Sequence, residues 1–245
     1  MRFINLVLVI TLLLLGQSAR AEILDSLVDG VFEKKVLEVI MRNPEVIEKT
    51  MQNYVEKKRK LQEAEQLAES IKNKVIVNHG ESPSIGNKNA KYQLVVFTDF
   101  ECPYCKKGDD TVQALKAKYG NDLLIVQKNY PLAFHKNAIP AAKAALAAHQ
   151  QGKFFEYSKL LFQNQKDLGS ELYNKTAKDL KLDLNKFNKD MGSDKVAKLL
   201  AADLEAANKV GVDSTPNFIL NGVVIAGAYP IEYFEKIIIL LNQSK

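Results

Sequence analysis

Phe97-Thr98-Asp99-Phe100-Glu101-Cys102-Pro103-Tyr104-Cys105 decides how this chain is read. Residues 94–98 form a compact apolar run that stops at Asp99, as a short buried strand does. Residues 105–119 have helical character, so Cys102 falls where a helix begins. Unpaired N–H groups and the macrodipole at a helix N-terminus stabilise an anion. A thiolate at Cys102 is therefore expected with a lowered pKa, and the thiolate is the attacking species in thiol chemistry. Cys102 is expected to be the exposed nucleophile. Cys105, one helical turn on, is expected to be shielded and to act as the resolving thiol. The two-residue spacing lets one disulfide close across the first turn, and such a pair can cycle through a mixed disulfide. Pro103 costs little at a first helical turn. Tyr104 is expected to tune the reduction potential and to touch substrate. Asp99 is read as a strand-end cap, with assistance to proton transfer as the other role open to it.

Working outward, residues 123–128 read as a second strand, so strand, helix and strand form a βαβ unit. After Tyr130-Pro131 the pattern is helical, with helices expected near 138–151, 154–163, 171–180 and 195–209. Strand signals return at 217–220 and 223–226, joined by Asn221-Gly222, the strongest short hairpin signal. An amphipathic helix over 231–241 closes the chain. The fold class is therefore α/β, a mixed sheet with helices on its faces, interrupted by a helical insertion over about 132–210. Tyr130, Phe134, Phe154, Phe155, Tyr157 and Phe162 are expected in the core or lining a groove. His135 reads as a solvated loop residue, and His79 and His149 as surface residues.

The chain has 245 residues and only two cysteines. A disulfide closing so short a loop constrains little chain entropy, and a chain of this length builds an apolar core without one. The pair therefore serves chemistry rather than stapling. A zinc site needs four ligands, or three and a water. None of the three histidines stands at zinc-finger spacing to the cysteines, so no metal is expected and no cofactor is implied.

At the start, Met1-Arg2 precedes an apolar run from 3 to 15, and then Gly16-Gln17-Ser18-Ala19-Arg20-Ala21. This is the pattern of a leader with a small-residue cleavage site, too short to span a bilayer. Cleavage after Ala21 is expected, with a mature chain from Glu22. The net charge of +5 loses the two arginines of the leader. The remaining excess is small and dispersed, so nucleic acid is not expected as a partner. Lys57-Lys58-Arg59-Lys60 reads as a solvated helix face.

Residues 22–77 read as a helical arm. A first amphipathic helix covers about 24–42. Asn43-Pro44-Glu45 then starts a long one, with asparagine as N-cap and proline in the first turn. Ile47, Met51, Tyr54, Leu61, Ala64, Ala68, Ile71 and Val75 form a narrow apolar stripe along it. Such a stripe suits a helix partner; packing on the main domain and self-association are both open. Residues 78–90, with Gly80-Glu81-Ser82-Pro83, read as a linker, and 91–245 as the main domain.

The strand with Cys102-Pro103-Tyr104-Cys105, then Ser214-Thr215-Pro216 before Phe218-Ile219-Leu220-Asn221-Gly222 with a helical block between, resembles the thioredoxin superfamily. The likeness is closer to its DsbA-like bacterial periplasmic branch. Asn43-Pro44-Glu45-Val46-Ile47 is similar to the N-terminal extension of a subgroup that includes oligomeric ScsC-like proteins. The resemblance implies a thioredoxin fold and a protein thiol–disulfide oxidoreductase. It implies Pro216 in cis beside the cysteines and Thr215 presenting backbone to the substrate. The implied partners are reduced or misfolded exported proteins and a membrane redox partner. Many relatives place a buried carboxylate six residues before the first cysteine; here Val96 stands there. Val96-Phe97-Thr98-Asp99 and the threonine before Pro216 also resemble the DsbC-type isomerases. The first expectation is periplasmic disulfide formation. The second is an oligomeric isomerase or reductase held by the arm, and the third a non-catalytic binder.

Overall fold

The computed structural model describes the backbone of residues 17–243 and the side chains of 30–243. Most of the expected leader, residues 1–16, lies outside the described residues. Two compact units divide after Ala64.

The first unit holds helix α1 (Gln17–Arg42) and most of α2 (Pro44–Lys72). Asn43 directly precedes α2, at the expected N-cap position, but its side chain serves the preceding helix. Its side-chain amide donates back to the Val39 carbonyl at 2.7 Å, while its backbone carbonyl receives the Val46 N–H. Phe32, Leu37, Met41, Ile47, Met51, Tyr54 and Leu61 are all exposed in this unit.

The second unit begins with the last turns of α2. Leu67 is buried and Ile71 packs beside it, whereas Ala68, expected on the apolar stripe, faces solvent. The Ser70 hydroxyl donates to the Val224 carbonyl and accepts from the Val224 N–H, so the helix end covers a sheet edge. Strands follow at β1 (Ser84–Ile85), β2 (Tyr92–Thr98) and β3 (Leu123–Asn129), with α3 (Pro103–Tyr119) between β2 and β3. The insertion comprises α4 (Ala138–His149), α5 (Phe154–Gln163), α6 (Ser170–Asp179), α7 (Leu184–Met191) and α8 (Asp194–Lys209). The hairpin β4 (Asn217–Leu220) and β5 (Val223–Ala226) and the helix α9 (Ile231–Gln243) complete it.

The sheet order is β1-β3-β2-β4-β5. β2 and β3 are parallel, as the intervening α3 requires, and the other pairings are antiparallel. Side chains alternate across a strand with period two. Leu94 and Val96 accordingly join the core beneath α3 and α9, while Val95 and Phe97 join the opposite core beneath α8. Both faces of the central strands are covered, which explains why residues 94–97 read as a continuous apolar run.

Residues 78–90, expected as a linker, are part of the folded unit. Ser84 and Ile85 pair with β3, and the Ser82 hydroxyl donates to Asp203 at 2.6 Å. Asp203 also receives Lys128 Nζ at 3.3 Å and the backbone N–H of Asn129 at 2.9 Å. Lys128 and Asp203 are both almost fully buried, an ion pair tolerated because further hydrogen bonds surround it.

Candidate active site

β2 ends at Thr98 and α3 starts at Pro103, so Cys102 is the helix N-cap, with Pro103 at the first helical position. Its φ and ψ of −74° and 120° are extended, the conformation an N-cap needs. The Cys102 N–H donates to the Asp99 carbonyl at 3.2 Å, and the Cys105 N–H to the Cys102 carbonyl at 3.0 Å. Cys105 lies one turn on, within the core, and its sulfur receives the backbone N–H of Asp99 at 3.4 Å. Both cysteines are thiols here. The expected exposure of Cys102 is corrected: it is 4% exposed and Cys105 1%. Pro103 and Tyr104 flank it as exposed residues, and Tyr104 carries Lys107 over its ring.

Electrostatics divide the two thiols. The neighbouring Cys105 thiol, followed by the N–H groups at the helix start and Thr215, brings the Cys102 pKa down to about 6 against the opposing effect of burial. The largest contribution is thus the partner cysteine, which sequence reasoning assigned to the helix terminus alone. Burial, with the hydrogen bond to Cys102, pushes Cys105 far up.

The Thr215–Pro216 peptide is cis, as the resemblance implied. It brings the Thr215 carbonyl within 3.6 Å of Cys102 Sγ, which donates to it. Thr215 Oγ1 is buried and makes no hydrogen bond of ordinary geometry, yet it favours the charged form of both sulfurs. Pro216 and Phe218 meet α3 at Gly108, where no side chain larger than hydrogen fits without movement.

Asp99 is held by three hydrogen bonds. Its carboxylate, 2% exposed, receives the Glu101 N–H at 2.8 Å, the Leu132 N–H at 2.9 Å and His135 Nδ1 at 2.7 Å. It ties the loop after β3 to the active-site turn. His135, expected in solvent, is the side chain that completes this anchor. Phe134 beside it is 77% exposed, while Phe154, Tyr157 and Phe162 are core residues, as one of the two expectations had it. His79 and His149 are half-buried rather than on the surface, and burial lowers the pKa of each.

Val96 is buried where relatives carry an acid. A cavity of about 10 Å³ lies against Val96, Thr98 and Cys105. The ionisable side chain that shares its lining is Asp109 of α3, whose pKa burial raises. Sequence reasoning missed Asp109, although its place four residues after Cys105 on a helix puts both on one face. It also missed Gln165, in the turn after α5, which donates to two carbonyls of the active-site loop.

A family profile described as thioredoxin matches residues 78–239. The chain belongs to the thioredoxin family. Its fold is the thioredoxin fold, with the Cys102 and Cys105 thiols at the start of α3. Among solved structures, the catalytic domain of Proteus mirabilis ScsC is 28% identical, with a TM-score of 0.56 over 71% of this chain and 94% of that one. A periplasmic thioredoxin-like protein from Salmonella enterica serovar Typhimurium is 27% identical, with a TM-score of 0.53 over 64% and 87%. A curated relative, a Na(+)/H(+) antiporter NhaA 1 of Mycolicibacterium vanbaalenii, is 36% identical over 142 residues. That stretch is 56% of this chain, and the chain spans only 23% of the antiporter's length. Among the described residues of this thioredoxin-family chain, no helix is long and apolar enough to cross a membrane.

Proposed function

We propose that the protein is an exported, periplasmic oxidase that donates the Cys102–Cys105 disulfide to proteins folding outside the cytoplasm. The observation that carries this reading is the placement of Cys102 Sγ against the Thr215 carbonyl, with Cys105 buried beneath it. A substrate thiolate attacks Cys102 Sγ, the Cys102–Cys105 bond breaks, and Cys105 leaves and takes up a proton. A second substrate thiolate then attacks the substrate sulfur of the mixed disulfide and expels Cys102 as thiolate. The substrate loses two electrons and the cysteine pair gains them. A thiol of low pKa leaves readily, and a stabilised Cys102 thiolate favours the reduced form of the pair, which makes its disulfide oxidising. A membrane redox partner would restore the disulfide. The leader pattern and the periplasmic Salmonella likeness support the compartment.

A second reading, an oligomeric isomerase or reductase, is favoured by the exposed apolar residues of α1 and α2 between Phe32 and Leu61. Joining copies through the arm would cover them and set several dithiols around one misfolded substrate. The test is stoichiometric: oxidised protein is mixed with reduced ribonuclease, and protein disulfides are counted against time. Rapid transfer is expected. Absence of transfer, with reactivation of scrambled ribonuclease that disappears when the arm is deleted, would replace the oxidase by the isomerase.

A further inference from the structure

A glutamine side-chain amide has two N–H donors on its nitrogen, so it can satisfy two carbonyls at once. Gln165 does so. Its Nε2 lies 2.7 Å from the Phe100 carbonyl and 2.7 Å from the Cys102 carbonyl. Both partners are acceptors only, so the amide must turn its nitrogen toward them. Gln165 sits in a short 3₁₀ turn, Gln165–Asp167, between α5 and α6. Three residues earlier, Phe162 packs its ring on Phe100 at 4.9 Å between centroids. The helical insertion thus grips the active-site loop twice, once through rings and once through hydrogen bonds.

The grip falls on the peptide that aims the nucleophile. The ψ of Cys102 decides where its carbonyl points, and therefore how the N–H groups of Tyr104 and Cys105 face its sulfur. Those N–H groups favour the thiolate. The Cys102 carbonyl oxygen is itself a partial negative charge on the same residue as the thiolate. A second donor on it weakens that repulsion, as electrostatic interactions at a buried site act through a low dielectric.

The structure assigns Gln165 as the positioning residue of the nucleophile: its amide holds the Cys102 peptide in the orientation that keeps Sγ a reactive thiolate. This rests on the exchange chemistry proposed above, and it makes the insertion part of the reaction's machinery rather than a spacer.

The test is Gln165→Met, similar in length and without donors, together with Gln165→Glu, which is ionised at neutral pH and presents only acceptors to the same carbonyls. Thiolate absorbance of the reduced full chain is titrated against pH, and its equilibrium with glutathione is measured. The Cys102 midpoint should rise by roughly half a unit in Gln165→Met and by more in Gln165→Glu, the size expected for losing one modest hydrogen bond. The glutathione equilibrium should shift about threefold toward the disulfide, since half a unit is a factor of about three. A lowered melting temperature with unmoved midpoint and equilibrium would make Gln165 a structural residue only and overturn the inference. Wild-type protein runs alongside in ribonuclease oxidation. If it transfers no disulfide, the functional reading fails; if it does and the variants match it in midpoint, only the Gln165 inference fails.

Discussion

The Cys102 thiol donates to the backbone carbonyl of Thr215 at 3.6 Å, across 113 residues of sequence. The proposed nucleophile and the loop read as substrate-facing are therefore in direct contact. Cys105 is the more deeply buried of the two thiols. Replacing Cys102 by serine should abolish disulfide transfer to reduced ribonuclease. Replacing Cys105 should leave attack on Cys102 intact and accumulate mixed disulfides, visible as reducible adducts in mass spectra. Equal adducts on both single variants would contradict the division of labour.

The same geometry makes stability depend on pH and on redox state. In the reduced protein the Cys102 pKa is about 6, against an ordinary value of 9.0. Below about pH 6 the thiol is protonated in both folded and unfolded chains and contributes nothing. Between about 6 and 9 the unfolded chain binds the extra proton, so stability rises with pH. Cys105 has the opposite sign, because its folded pKa is raised, but it acts only above about 9, where the unfolded thiol ionises. The urea midpoint of reduced protein should therefore climb between about pH 5 and pH 8 relative to that of the disulfide form, which has neither thiol. Parallel midpoints would show that the Cys102 thiolate is not stabilised by folding.

Asp99 should behave as an anchor. Asp99→Ala leaves the Leu132 and Glu101 N–H groups and His135 without their acceptor. Hydrogen bonds to a charged group contribute about 1.5–3 kcal/mol each, with strong non-additivity. A loss of about 2–4 kcal/mol in urea unfolding is expected. Asp99 is not among the groups that set the Cys102 pKa, so the alkylation midpoint should stay in place. A midpoint that moved by a full unit would return Asp99 to the proton-transfer role.

Gly108 tests how closely α3 must approach the cis proline. A Cβ there would lie 2.9 Å from Phe218 Cζ and 3.3 Å from Pro216 Cβ and Cγ. Helix propensity favours alanine by about 1 kcal/mol, but overpacking costs about 1–3 kcal/mol. Phe218 is fully buried, with its ring edge-on to Phe234 at 5.1 Å, and the cavity beside it holds only about 10 Å³, so it has little room to yield. Gly108→Ala should lose stability and slow exchange together, by circular dichroism melting and ribonuclease oxidation. A more stable variant of full activity would show that the helix and the proline loop can separate freely.

Much of this site could be read from local sequence. The apolar run ending at Asp99, the helix from 103, the Asn221-Gly222 hairpin and the dithiol all depend on neighbours along the chain. What escaped depends on distant partners. The two-residue strand Ser84–Ile85 is too short to show alternation and exists because β3 offers it an edge. Leu184–Met191 spaces Leu184, Phe187 and Met191 as a helix does, but over eight residues with Phe187 alone buried the stripe is too short to stand out. His135 looked like a loop histidine because its partner, Asp99, is 36 residues away. Gln165 carries no local signal at all, since its meaning lies in two carbonyls more than 60 residues upstream. Ala68 was placed on the apolar stripe by spacing, but the helix turns Leu67 inward where it meets the sheet.

Alkylation of the reduced protein tests directly whether Cys102 is the thiolate nucleophile. Reduced protein is pulsed with iodoacetamide across a series of pH values, and the label is located by mass spectrometry. Modification of Cys102 alone is expected, with a rate that rises through a midpoint near 6 and levels off above it. Labelling of Cys105, or a midpoint near the ordinary thiol value, would contradict it.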